Sequence, residues 1–124
     1  MIACVKDCAK ARVPIMVSHY YIGFDKASPT EFGPKNYGKV VARAKELGIK
    51  IAFENCEQEQ FLACLMEAFK DEPNVGFCWD VGHELCYNRG QDMMALYGDR
   101  IICTHINDNL GIRAYGGNII RMLM

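Results

Sequence analysis

The sequence predicts an α/β fold on a parallel sheet, a partial (β/α)8-type barrel of about four strands alternating with helices. Three observations predict it. Short apolar runs alternate with stretches whose apolar residues recur at i, i+3, i+4 and i+7. Three of those runs end in a polar residue: Glu54 after Ile51-Ala52-Phe53, Asp80 after Val75-Gly76-Phe77-Cys78-Trp79, and His105 after Ile101-Ile102-Cys103-Thr104. The intervals between them are 26 and 25 residues, one strand–helix unit each. Finally, 124 residues suit one compact domain, 1–124, but fall well short of the ~250 of a complete barrel.

Taken in order, residues 1–12 read as a helix, with Ile2, Val5, Cys8 and Ala9 on one stripe and Lys6, Asp7 and Lys10 opposite. Residues 13–17 read as a strand; Pro14 near its start is tolerable, and His19 ends it. Gly23, Pro29, Gly33 and Pro34 mark residues 20–35 as a polar loop. Asn36 can cap the next helix, whose Tyr37, Val40, Val41, Ala44 and Leu47 keep helical spacing, and Gly48 stops it. Strand 49–53 leads to Glu54, and helix 57–70 carries Phe61, Leu62, Leu65 and Phe69 on its apolar face. Asp71-Glu72-Pro73-Asn74 is a turn. Strand 75–79 ends at Asp80, a less regular helical region covers 83–97, and Gly98-Asp99 breaks it before strand 101–105. The sequence from Asn107 onward reads as loop. Four parallel strands in an open arc would leave two sheet edges and half of a packed interior uncovered.

Composition narrows the function classes. Half the residues are apolar (51%) and 23% are charged, which is globular rather than disordered. A formal net charge of −1 offers no basic field for nucleic acid. The seven cysteines are odd in number, form no CxxC pair, and several (Cys4, Cys8, Cys64, Cys78, Cys103) sit where small apolar residues belong; reduced thiols in a cytoplasmic protein fit best. Cys56 and Cys86 fall near the strand ends without a basic neighbour to activate them. The N-terminus resembles no signal peptide, and no apolar stretch approaches the ~20 residues of a membrane span.

Parallel strands deliver their C-terminal residues to one rim, so two carboxylates and an imidazole converge there as a metal-site composition. Each alone has an ordinary reading: Glu54 or Asp80 as a helix cap, His105 as a satisfied histidine. A shared rim and a shared spacing weigh against three coincidences.

Together Phe53-Glu54-Asn55, Trp79-Asp80-Val81-Gly82-His83 and Thr104-His105-Ile106-Asn107-Asp108-Asn109 resemble the sugar phosphate isomerase/epimerase group of the xylose isomerase-like TIM barrels. The resemblance runs over residues 13–113 and corresponds to the second half of such a barrel short of its last strand. It implies that Glu54, Asp80 and His105 bind one divalent cation, Mn²⁺, Mg²⁺, Co²⁺ or Zn²⁺. A fourth carboxylate ligand has no counterpart in the tail. By the same resemblance Glu54 also moves the proton, His83 contacts substrate, and Arg113 is the nearest match to a basic substrate contact. His19 shares the rim as a lining residue or a further ligand. Asn107 and Asp108 are expected to orient His105 or its loop.

The activity so implied is metal-dependent isomerisation or epimerisation of a small sugar, ketose or cyclitol through an ene-diolate. One rival is a catalytically silent fragment stabilised by self-association, two arcs completing one ring as a homo-oligomer or the missing barrel half doing so. Another is an endonuclease IV-like phosphodiesterase, which needs more metal ligands and basic loops than three histidines and this charge supply.

Overall fold

A computed structural model describes residues 1–109 except 22, 24, 26 and 89. Its elements are α1 (Ile2–Ala11), β1 (Ile15–Ser18), α2 (Phe32–Glu46), β2 (Lys50–Glu54), α3 (Glu59–Ala68), β3 (Val75–Asp80), α4 (Val81–Tyr87), α5 (Met93–Tyr97) and β4 (Ile101–His105), the last preceded by a 3₁₀ turn over Gly98–Arg100. The sheet runs β1-β2-β3-β4 with every pair parallel. This is the α/β architecture of a partial TIM barrel.

Sequential order matters for the site. When neighbouring parallel strands are joined by right-handed crossovers, every helix falls on the same face of the sheet. Side chains alternate along a strand, so that face takes one set of residues and the opposite face the other. Ile51 and Phe53 of β2 and Val75 and Phe77 of β3 pack with Val40, Val41 and Ala44 of α2 and Leu62, Leu65 and Met66 of α3. Phe53 and Phe77 are fully buried, worth about 1.5–3 kcal/mol each against exposure. The alternate positions, Ala52 and Glu54, then Gly76, Cys78 and Asp80, face away from the helices. In a closed barrel that is the interior.

The end of the sheet where the strands begin is held by backbone caps. Gly48, at φ 69°, ends α2 in a left-handed turn in which Ile49 N–H donates to Ala44 O and Gly48 N–H to Lys45 O. Arg100 sends its guanidinium to Met66 O (2.7 Å), Phe69 O (3.0 Å) and Val75 O (3.2 Å), tying the end of α3 to the start of β3.

Two expectations shift. The helix predicted to start at Asn36 begins at Phe32, and Asn36 lies inside it. Gly33 and Pro34 look like breakers, yet they occupy the first turn, where N–H groups have no helical partner and proline removes nothing. The region 83–97 is two helices, each capped by an aspartate: Asp80 Oδ1 accepts from His83 N (2.8 Å) and Asp92 Oδ1 from Ala95 N (2.9 Å). Among the described residues no helix is long and apolar enough to cross a membrane.

Candidate metal centre

The centre is organised around Glu54, the last residue of β2 and almost wholly buried at 2% exposure. Its Oε1 lies 3.1 Å from His105 Nδ1 and 3.2 Å from His83 Nδ1, and its Oε2 lies 3.0 Å from His19 Nε2. One carboxylate therefore meets all three histidines of the chain. Burial by itself would raise the Glu54 carboxyl, but hydrogen bonds from His83 and His105 and the charge of His19 outweigh it and hold it at about 2. Burial likewise opposes the charged form of His83, and Glu54, Asp80 and the Asn55 carbonyl together override it, leaving His83 raised above 6.5.

Asp80 divides its two oxygens. Oδ1 caps α4 and accepts from Asn107 Nδ2 at 3.0 Å. Oδ2 faces the cluster, 3.6 Å from His105 Nδ1 and 3.9 Å from His83 Nδ1. Capping and ligation, alternatives in the sequence, are here compatible. Asp80 makes the loosest approach of the set.

The donor set fits a divalent cation. Ligand atoms ~2.1 Å from one ion and at right angles to each other lie roughly 3.0 Å apart. The contacts of 3.0 Å from Glu54 to His19 Nε2 and 3.1 Å to His105 Nδ1 match that edge length. Ligand atoms of His19, Glu54 and His83 lie within 4.8 Å of one another, and so do those of Glu54, Cys78 and His105. Cys78 is fully buried; burial, the neighbouring Cys103 thiol and the charges of Glu54 and Asp80 push its thiol well above the ordinary range.

Sequence reasoning missed the asparagines that set these positions. Asn55 is wholly buried; its Nδ2 donates to Asp80 O (2.9 Å) and Asn88 Oδ1 (3.1 Å), and its Oδ1 accepts from Asp80 N (2.8 Å). It thereby locks the end of β2 to the end of β3. Its own carbonyl lies 2.9 Å from His83 Nδ1. A carbonyl only accepts, so Nδ1 carries the proton and the neutral ring keeps its lone pair on Nε2. Asn88 Nδ2 extends the network to Cys56 O at 3.2 Å.

Asn107 Nδ2 donates to Asp80 Oδ1, and Asp108 is exposed. Gly82 makes room for this loop, since a Cβ there would lie 1.8 Å from Asn107 Oδ1. Arg113 falls outside the described residues. Burial pushes the Cys56 thiol up to about 11, so it is not an activated nucleophile, and Cys86 Sγ donates to Asn109 Oδ1 at 3.1 Å.

The loop after β1 is fastened over the loop after β2. Tyr21 stacks on Phe61 with ring centroids 4.4 Å apart, Gln58 Nε2 donates to Gly23 O (2.9 Å), and Tyr37 Oη donates to His19 O (2.9 Å). Gln58 itself sits at φ 58°, a left-handed conformation that non-glycine residues hold at a cost of about 1–3 kcal/mol. A cleft of about 400 Å³, lined by Met1, Cys4, Met16, Val17, Ser18, His19 and Glu54, opens onto the carboxylate. That is within the roughly 300–1,000 Å³ typical of small-molecule sites.

Comparison with known proteins identifies the family and the fold. The sequence profile described as xylose isomerase-like TIM barrel matches residues 2–117. Among curated proteins, the uncharacterized protein y4fM of Sinorhizobium fredii is 32% identical over 85 residues, 64% of this chain and 27% of that one. A Thermus thermophilus protein whose crystal was soaked with ZnCl2 superposes with a TM-score of 0.72 at 23% identity, covering 91% of this chain and 48% of that one. A D-allulose 3-epimerase from Methylomonas sp. gives 0.68 at 14%, covering 97% and 46%. A xylose isomerase domain protein from Planctomyces limnophilus gives 0.66 at 17%, covering 87% and 42%. At these identities the structural likeness speaks for the fold. The chain spans about a quarter of its curated relative and less than half of each of these solved chains.

Proposed function

The chain belongs to the xylose isomerase-like TIM barrel family, and from that membership we propose that it serves a divalent-metal-dependent isomerase or epimerase acting on a small sugar, ketose or cyclitol. The observation that carries the reading is the convergence of His19, Asp80 and His105 from strand ends, and of His83 from the first turn of α4, around the buried Glu54 carboxylate. Glu54, Asp80 and His105 would hold the cation. When bound, it supplies positive charge beside the substrate oxygens on which negative charge develops.

The chain's own groups do the rest. Glu54 takes the proton from the carbon beside the substrate carbonyl. Held at about 2 by its imidazole partners, it is a weak base until substrate arrives. A substrate hydroxyl that draws His19 Nε2 away from Glu54 returns basicity to it. His83 offers Nε2 to such a hydroxyl while Asn55 fixes the ring from behind. The cleft beside His19 admits the sugar.

The test is solvent exchange. Metal-free protein supplied with Mn²⁺ or Co²⁺ and a panel of ketoses and cyclitols in D2O is expected to place deuterium at the carbon next to the carbonyl. Glu54→Gln should abolish both exchange and metal binding. Metal binding that Glu54→Gln leaves intact would overturn the assignment.

A further inference from the structure

One pleat below Asp80, the sheet presents a thiol to two of the same ligands. Cys78 lies between Gly76 and Asp80 on the face turned away from the helices. In register it stands beside Glu54 on β2 and Cys103 on β4. It is completely buried, and its Sγ lies within 4.8 Å of a Glu54 carboxylate oxygen and of a His105 ring nitrogen, themselves equally close to each other. A tetrahedral ion with Zn–S ~2.3 Å and Zn–N ~2.1 Å holds sulfur and nitrogen roughly 3.6 Å apart, so the three donors need only close up by a small movement.

We propose that Cys78 is itself a ligand of the metal centre, joining Glu54 and His105, so that the site selects a thiophilic cation, Zn²⁺ or Co²⁺, over Mg²⁺ and Mn²⁺. The proposal rests on the metal-centre reading above and sharpens its choice of ion. Mg²⁺ demands oxygen ligands in near-ideal octahedral geometry and keeps several waters, which a buried sulfur beside an imidazole does not provide. Thiolate and imidazole together favour zinc-like ions. Binding exchanges one bond for another without redox change: the S–H bond breaks, its proton leaves to solvent, and a sulfur–metal bond forms.

Two other thiols serve as controls, because Cys103 neighbours Cys78 in the sheet and Cys4 lines the cleft that reaches Glu54. The full chain, reduced and metal-free, is titrated with Co²⁺ while heat of binding and near-ultraviolet absorption are followed together. The expected result is a thiolate-to-cobalt charge-transfer band that saturates at one equivalent. It should vanish in Cys78→Ser and persist in Cys103→Ser and Cys4→Ser. Zn²⁺ affinity should fall in Cys78→Ser by at least the ~10–100-fold that loss of an outer partner of a ligand costs.

Binding of Co²⁺ without the band, or a band that survives Cys78→Ser, overturns the ligand while leaving the carboxylate–histidine centre standing. Absence of any Co²⁺ binding overturns both. Should Cys78→Ser fail to fold, X-ray absorption at the zinc edge on the unaltered protein decides the matter: a Zn–S shell at ~2.3 Å supports the proposal and a shell of only oxygen and nitrogen refutes it.

Discussion

The two ends of the sheet are made of opposite materials. Where the strands begin, Arg100 closes three backbone carbonyls, Gly48 seals α2, Asn74 Nδ2 donates to Val41 O (3.1 Å), and Lys45 pairs with Glu72 at 2.8 Å. Arg100 there caps carbonyls and Lys45 there neutralises a carboxylate. Where the strands end, two carboxylates, three imidazoles and a thiol are pressed together, and Gln58 holds a left-handed backbone beside them. The contrast teaches that one end has the composition of a cap and the other the composition of a possible metal site.

Asn55→Ala should break that division most severely, because Asn55 works for both stability and site. Its removal leaves Asp80 N–H and C=O buried without their partners, costing about 1–3 kcal/mol. It also frees Glu54 to drift from Asp80, so metal affinity should drop by ~10–100-fold. Chemical denaturation and calorimetric metal titration would measure the two effects. A variant that loses stability but keeps full metal affinity would show that Asn55 only braces the fold.

Arg100→Met probes the opposite end. Loss of charged hydrogen bonds to Met66 O, Phe69 O and Val75 O should cost about 1.5–3 kcal/mol, while metal affinity stays within about twofold of the unaltered protein. A matching loss of metal affinity would mean that the two ends are mechanically coupled and that the division drawn above is false.

Much of this division was legible in the chain itself. Glu54, Asp80 and His105 stood out because strand periodicity places each at a strand terminus and parallel strands share one rim. The same logic placed His19, whose Nε2 does meet Glu54. What escaped was the pair Asn55 and Asn88. They bond to backbone or side-chain atoms between 25 and 33 residues away in sequence, and nothing local to an asparagine names a partner that far off. Cys78 was read as filler for the same reason: register, not local pattern, puts it beside Glu54. The start of α2 was misplaced because Gly33 and Pro34 punctuate loops and helix first turns alike.

The most diagnostic effect turns on pH. In the metal-free protein Glu54 sits near 2 against an ordinary 4.5, so its contribution to stability is complete above about 4.5 and drains away as pH falls towards 2. His83 is raised above 6.5, so its contribution is complete below 6.5 and is lost as pH rises through the raised value. On account of this pair the metal-free protein is steadiest between those limits and weakens towards alkali. A cation reverses the alkaline trend, since it binds neutral imidazole and carboxylate and competes with the protons they share. At 100 times its dissociation constant it adds about 2.7 kcal/mol. The rise in melting temperature on adding metal should therefore grow steadily from about pH 5 to about pH 8, while the melting temperature without metal does not. A metal-induced rise that is flat over that range, or that shrinks, would place the bound ion away from the histidine-ringed carboxylate and leave the end of the sheet that looks built for a ligand without one.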